Sequence, residues 1–209
     1  MGLLKGMLTA ARFRVDGDLP TDWRERYRDG LLDQAFREPV VRTKGEETEG
    51  WVEIHNLLDS DFANHNRWLY HPWALFSLRV DKKRLPANLV RATLEKRCQA
   101  WCEERETTSC PAAVRSELKS ALEEEWFARM LPTVQVTDVG WNVADKTVLV
   151  GSLAEGTLAR VRKRFFQTFG LRLVPWSPLD ILDDKQQVDA LLGSSPEAWG
   201  PLSEQGDWS

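Results

Sequence analysis

Trp73-Ala-Leu-Phe-Ser-Leu-Arg-Val-Asp-Lys-Lys-Arg-Leu-Pro86 is the stretch on which the reading of the fold turns. From Trp73 to Val80 it alternates, with Ala74, Phe76, Leu78 and Val80 on one side and Trp73, Leu75, Ser77 and Arg79 on the other. A period of two means a strand, here with one face buried and the other partly so. The strand ends in Lys82-Lys83-Arg84, and Pro86 suits the first turn of a helix, where a missing N–H does no harm.

Two helical patterns follow between Leu85 and Pro132, joined by Glu106-Thr-Thr-Ser-Cys110-Pro111. In the first, Leu85, Leu89, Leu94, Cys98, Trp101 and Cys102 fall near one stripe. In the second, Val114, Leu118, Leu122, Trp126 and Met130 recur every four residues. The opposite faces carry Arg91, Glu95, Lys96 and Arg105, then Arg115, Glu117, Lys119 and Glu123. Two such stripes can zip into an αα-hairpin. Periodicity alone fits a projecting arm and an ordinary core-packing pair equally well.

Outward from this stretch, Leu8 to Val15 reads as a strand ending at Asp16-Gly17-Asp18. Pro20-Thr21-Asp22 starts a helix whose Trp23, Tyr27, Leu31 and Ala35 recur every four residues, weakened by Gly30. Strands are expected at Val40 to Thr43 and Trp51 to Ile54. Beyond Pro132, Val134 to Thr137 alternates, Trp141-Asn142 and Asp145-Lys146 make a turn, and Thr147 to Val150 is a short apolar strand. Ser152 and Glu155 have capping-box spacing before a helix from Leu153 to Phe169, and Gly170 is a natural C′ residue. A last strand, Leu171 to Val174, precedes a short helix from Leu179 to Leu192. The tail beyond Gly193, with Trp199 and Trp208, has a loose composition.

The expected fold is α+β: a mixed, mainly antiparallel sheet with packed helices and a protruding helical hairpin. Residues 1–84 and 133–192 would form the core, 85–132 the hairpin and 193–209 a flexible tail. At 209 residues the chain can bury about 70% of its unfolded surface. It is 42% hydrophobic and 29% charged, as soluble domains are. A net charge of −4 argues against a general basic coat but leaves room for a local basic face. No stretch approaches the roughly 18 apolar residues of a membrane span, and Lys5 and Gly6 break up the weakly signal-like N-terminus. Three cysteines between Cys98 and Cys110, without CxxC spacing, read as free buried thiols and a cytoplasmic chain.

The sequence holds no catalytic constellation. Gly151-Ser152 lacks the GxSxG frame, Glu123-Glu124-Glu125 reads as a solvated helix face, and there is no Gly-rich phosphate loop. His55, His65 and His71 stand with Asp59 and Asp61 within 17 residues, but spacings of ten and six match neither HExxH nor a zinc finger. Such loops also collect His, Asn and Asp as turn formers. No metal, cofactor or catalytic residue is expected.

Several of these residues carry a resemblance. The order of elements, the Gly50-Trp51-Val52 strand start, Leu78-Arg79-Val80-Asp81-Lys82-Lys83-Arg84-Leu85-Pro86 before a long helix, Leu118-Lys119 and Leu173-Val174-Pro175 resemble the RdgC family of recombination-associated nucleoid proteins. The likeness covers residues 1 to about 180 in pattern and scattered identities. It implies a non-catalytic α+β protein that pairs into a ring around double-stranded DNA and limits strand-exchange filaments, with the helical hairpin closing the ring. Carried over, the dimer contact would fall at the far end of the hairpin, near Trp126, Phe127 and Leu131. The DNA-facing charges would be among Lys82, Lys83, Arg84, Arg91, Arg97, Arg160, Lys163 and Arg164. Family members usually continue further at the C-terminus, so an open clasp or a homodimer through one contact is expected here.

Cations on one concave face would meet phosphates and release counterions without reading bases. Arg160, Lys163 and Arg164 also fit the solvated face of an amphipathic helix. With ten tryptophans, a protein-interaction module is the alternative, with a protein partner docking on the hairpin or capturing the tail.

Overall fold

The computed structural model describes residues 3–4, 9–39 and 47–176, together with Gln186, Asp189, Ala190 and Gly193. In chain order its elements are β1 (Ala11–Asp16), α1 (Trp23–Asp33), β2 (Glu47–Val52), β3 (Leu69–Tyr70), β4 (Trp73–Lys82), α2 (Ala87–Glu104), α3 (Ala112–Arg129), β5 (Thr133–Asn142), β6 (Thr147–Val150), α4 (Glu155–Phe169) and β7 (Arg172–Pro175). The fold is α+β. Seven strands make one sheet in the order β2-β4-β5-β6-β1-β7, with β3 beside the start of β4. All pairings between these strands are antiparallel, and one parallel bridge joins Ala35 to Trp51.

One face of the sheet is covered by α1 and α4. Ala74, Phe76 and Leu78 of β4 point into that layer and are buried with Trp51, Val139, Trp141 and Val148. Aromatic rings tie the layers together. Tyr27 of α1 meets Trp141 at 5.4 Å and Phe169 at 5.1 Å, and Phe165 meets Trp141 at 5.2 Å. Each such ring removes a large apolar area from water, which stabilises by about 1.5–3 kcal/mol. Where α1 crosses α4, a Cβ on Gly30 would sit 2.4 Å from the carbonyl oxygen of Thr168. The glycine that weakens the isolated helix is what lets the two helices touch.

Helix α4 is bound to β2 by matched spacings. Four helical residues advance about 6 Å, nearly the advance of two strand residues. Arg160, Arg164 and Thr168 therefore fall opposite Glu47, Glu49 and Trp51: Arg160 pairs with both glutamates, Arg164 with Glu49 at 2.6 Å, and the Trp51 indole donates to Thr168 at 2.7 Å.

The other face of β4 is polar yet closed. Asp81 is fully buried and receives two bonds of 2.8 Å from Arg79, which also donates to the Leu57 carbonyl and stacks on Phe36. Ser77 donates to Asp138 at 2.6 Å. Buried charge of this kind is tolerated because it is paired and hydrogen-bonded.

The hairpin has its own small core. Val90, Leu94 and Cys98 of α2 and Leu122 of α3 are buried together, with Leu85, Cys110, Leu118 and Trp126 packed against them. The working stripe of α2 is thus 90-94-98. Leu89, expected in it, is 55% exposed, because a step of four back from Leu94 reaches Val90.

Two further local expectations change. Trp141 and Asn142 belong to β5, where Trp141 is buried; the turn follows, with the Asn142 side chain accepting from the N–H of Ala144 and of Asp145. The capping box at Ser152 does not form. Gly151 and Ser152 are still held to the sheet end by bonds to Asp138 and Val150, so the helix starts at Glu155, and Ser152 Oγ accepts from the N–H of Ala154 instead. Gly170 does close α4, at φ 70°. The strand expected at Val40 to Thr43, most of the helix expected from Leu179 to Leu192, and Trp199 and Trp208 lie outside the described residues.

Candidate functional site

The hairpin leaves the sheet at Lys82 and returns to it at Thr133, positions that pair with each other across β4 and β5. Its root is therefore rigid. Along the hairpin runs a groove of about 750 Å³. One wall is α3, from Ala112 through Arg115, Ser116, Lys119 and Glu123 to Phe127; the other is the chain from Lys82 to Leu94. From residue 112 to 127 the helix advances roughly 22 Å, enough to run beside several successive phosphates of one nucleic-acid strand.

Six basic side chains line this groove, Lys82, Lys83, Arg84, Arg91, Arg115 and Lys119, against the single carboxylate of Glu123. Two of the six are engaged. Lys82 pairs with Glu47, and Lys83 donates to the Phe127 carbonyl at 2.8 Å while lying over the Phe127 ring. Arg84, Arg91, Arg115 and Lys119 are exposed and make no hydrogen bond or ion pair with any described residue. The floor is apolar, built from Leu85, Val90, Leu94 and Phe127.

The charges named from the sequence thus divide. Lys82, Lys83, Arg84 and Arg91 line the groove. Arg97 ties α2 to α3 through Glu125 at 2.7 Å, which holds that carboxyl below its usual range. Arg160 and Arg164 face Glu47 and Glu49, and with Lys82 they make one ion cluster at the edge of the sheet. Hydrogen bonds from Lys82 and then Arg160 lower the Glu47 carboxyl to about 2. Lys163 stands apart, in a shallow depression with Arg162 and Arg172 around Phe166.

The sequence alone does not separate Arg115 and Lys119 from the other charges on the outer face of their helix. The usable signal was their spacing of four on α3, but only the antiparallel packing of α2 on α3 brings that row opposite Arg84 and Arg91. The residues carried over for a dimer contact do not lie at the hairpin's far end. The far end of the hairpin is the turn between Glu104 and Ala112, whereas Trp126, Phe127 and Leu131 lie at its root. Trp126 packs on the hairpin core, Phe127 lines the groove, and Leu131 is 85% exposed.

Among the described residues no three His, Cys, Asp or Glu side chains converge as metal ligands would, and no helix is long and apolar enough to cross a membrane. His55 meets Tyr70 edge-on and His65 packs beside Trp68. Cys98, Cys102 and Cys110 are free, and burial, with a hydrogen bond to Cys98, pushes the Cys110 thiol up. No family model matches the chain, and no curated protein matches it.

Proposed function

We propose that the chain is a non-catalytic, sequence-independent binder of double-stranded DNA. It holds the phosphate backbone along the hairpin groove and modulates recombination or nucleoid structure as a cytoplasmic homodimer. The observation that carries this reading is the excess of six cations over one carboxylate in a concave surface, on a chain whose net charge is −4. Four of those cations have no described partner to give up before meeting a phosphate. The resemblance to the RdgC family supports the same reading, and needs neither cofactor nor metal.

Such a groove gives affinity through counterion release and no base preference. If four phosphates are neutralised, affinity should fall about a hundredfold between about 50 and about 200 mM salt. A mobility-shift titration of unrelated duplex sequences at those two salt concentrations reads this directly. Equal affinities and a steep salt slope are expected. No shift at the lower salt would end the DNA reading.

One observation favours a rival. The apolar floor of Leu85, Val90, Leu94 and Phe127 also suits an acidic amphipathic helix from a partner protein, laid in the groove with its carboxylates on the cationic rims. That reading expects a shallower salt dependence than DNA binding gives, and a loss of binding on Phe127→Ala that DNA binding would not share.

A further inference from the structure

β5 is ten residues long, but only its second half has a strand on both sides. β4 pairs with all of it, whereas β6 pairs with residues 139–142 alone, and the ladder ends where the Gly151 N–H donates to the Asp138 carbonyl at 2.9 Å. From Thr133 to Thr137 one edge of β5 has no neighbour among the described residues, and Thr133, Val134, Gln135 and Val136 are exposed. Successive residues of a strand turn their N–H and C=O to opposite sides. Asp138 turns its carbonyl toward β6, so Val134 and Val136 present theirs to the same open side, with no backbone partner among the described residues.

Sheet edges are usually blunted by charge, bulges or a covering segment. No charged side chain occurs from Met130 to Thr137, and three of the five edge residues are followed or preceded by another β-branched one at a step of two, a pattern that favours pairing. The sequence Thr133-Val-Gln-Val-Thr137 also reads identically in both directions. A two-fold axis at Gln135 sets Thr133 opposite Thr137 of another copy, Val134 opposite Val136, and Gln135 opposite itself. The valines then form the hydrogen-bonded pairs, and no charge meets its own copy at the axis. Beyond the strand, Leu131 lies before one end and Leu153 just past the other, 85% and 63% exposed. The same axis carries Leu131 of each copy toward Leu153 of the other.

We propose that a second copy of this chain docks on this edge, antiparallel and centred on Gln135, joining the two sheets through β5. The paired strands and flanking leucines would bury on the order of 1,000 Å² in total, near the lower limit of specific interfaces, so the dimer exchanges with monomer as concentration changes. The surface is distinct from Trp126 and Phe127 and holds whether or not the groove binds DNA. Because the axis is perpendicular to the sheet, both copies turn Lys82 to the same side; that one consequence matters only if the polyanion reading is right.

Sedimentation of the full chain over a dilution series, combined with cysteine placement, tests the register. Two Cα atoms facing each other in a non-hydrogen-bonded pair lie about 4.5 Å apart, within disulfide reach. Gln135→Cys should therefore cross-link to its own copy under mild oxidation with oxidised glutathione. Thr137→Cys lies about 14 Å along the strand from its copy and should stay at the wild-type background set by Cys98, Cys102 and Cys110. Val136→Lys should weaken the dimer about tenfold, because each lysine replaces an apolar partner of Val134 in the other copy and stands diagonally from the other lysine, with an unchanged circular dichroism spectrum. A chain that stays monomeric at high micromolar concentration overturns the proposal. So do equal cross-linking at positions 135 and 137, or a Val136→Lys chain that dimerises like wild type. None of these readouts depends on the mobility shift, so either proposal can fail alone.

Discussion

Two sets of arginines and lysines in this molecule have opposite surroundings. On α4, Arg160 and Arg164 lie over the outer strand of the sheet and close on Glu47 and Glu49. On the hairpin, Arg84, Arg91, Arg115 and Lys119 share a groove with one carboxylate and no described partner. A cation whose field ends on a neighbouring carboxylate has little left for an incoming anion. Several unpaired cations along one concave wall add their fields and concentrate anions there. The same residue types thus fasten one helix to a sheet and line an open groove on another, and what decides between them is the strand or helix that faces them.

Neutralising the groove should give the largest effect. A chain carrying Arg84→Gln, Arg91→Gln, Arg115→Gln and Lys119→Gln is expected to bind duplex DNA at least about a hundredfold more weakly at low salt, with the salt slope flattened by about 3.6. Its melting temperature should barely change, since exposed charges contribute little to stability. Undiminished binding would dissolve the contrast between the two sets.

The converse substitution comes next. Arg164 is 16% exposed and bonds Glu49 and Gln34 at 2.6 Å each. Arg164→Ala leaves a partly buried carboxylate without its main partner, which should destabilise the fold by about 2 kcal/mol. Denaturant unfolding measures this, and DNA affinity per folded molecule should stay the same. A fall in affinity with stability intact would place Arg164 with the groove set.

The elements of this contrast were legible in the sequence to different depths. β4 and β6, the αα-hairpin and the close of α4 at Gly170 are written in local periodicity and turn chemistry, so their limits can be read within a residue or two. The cap of α4 was not, because the sheet end holds Gly151 and Ser152 in place against their own capping preference. The pairing of Arg160 with Glu47 joins residues more than a hundred positions apart, and no local pattern reports that. A trace of it is present all the same: glutamates at a step of two in β2 match arginines at a step of four in α4. The groove was half legible. Its near wall follows directly from the basic run at Lys82, whereas Arg115 and Lys119 join it only through the packing of α2 on α3.

Acid should separate the two sets in a smaller, graded way. Glu47 is lowered to about 2 in the folded chain, from a value of 4.5 when unperturbed. Between those values the unfolded chain binds a proton at this position that the folded chain does not, so stability rises with pH there. The contribution of the pairs with Lys82 and Arg160 is complete above about 4.5 and is lost as pH falls toward about 2. Solvent at the Arg160 side of the pair limits it to about 1 kcal/mol. Glu47→Gln has no proton to take up, so its melting temperature should fall less steeply than that of wild type across this window, and the two curves should run parallel above it. Arg115→Gln, which touches only the groove, should follow the wild-type curve throughout. If instead Glu47→Gln tracks wild type down to the lowest pH, the ion cluster is not what fastens α4 to β2, and the arginines of α4 lose their claim to be different from those of the hairpin.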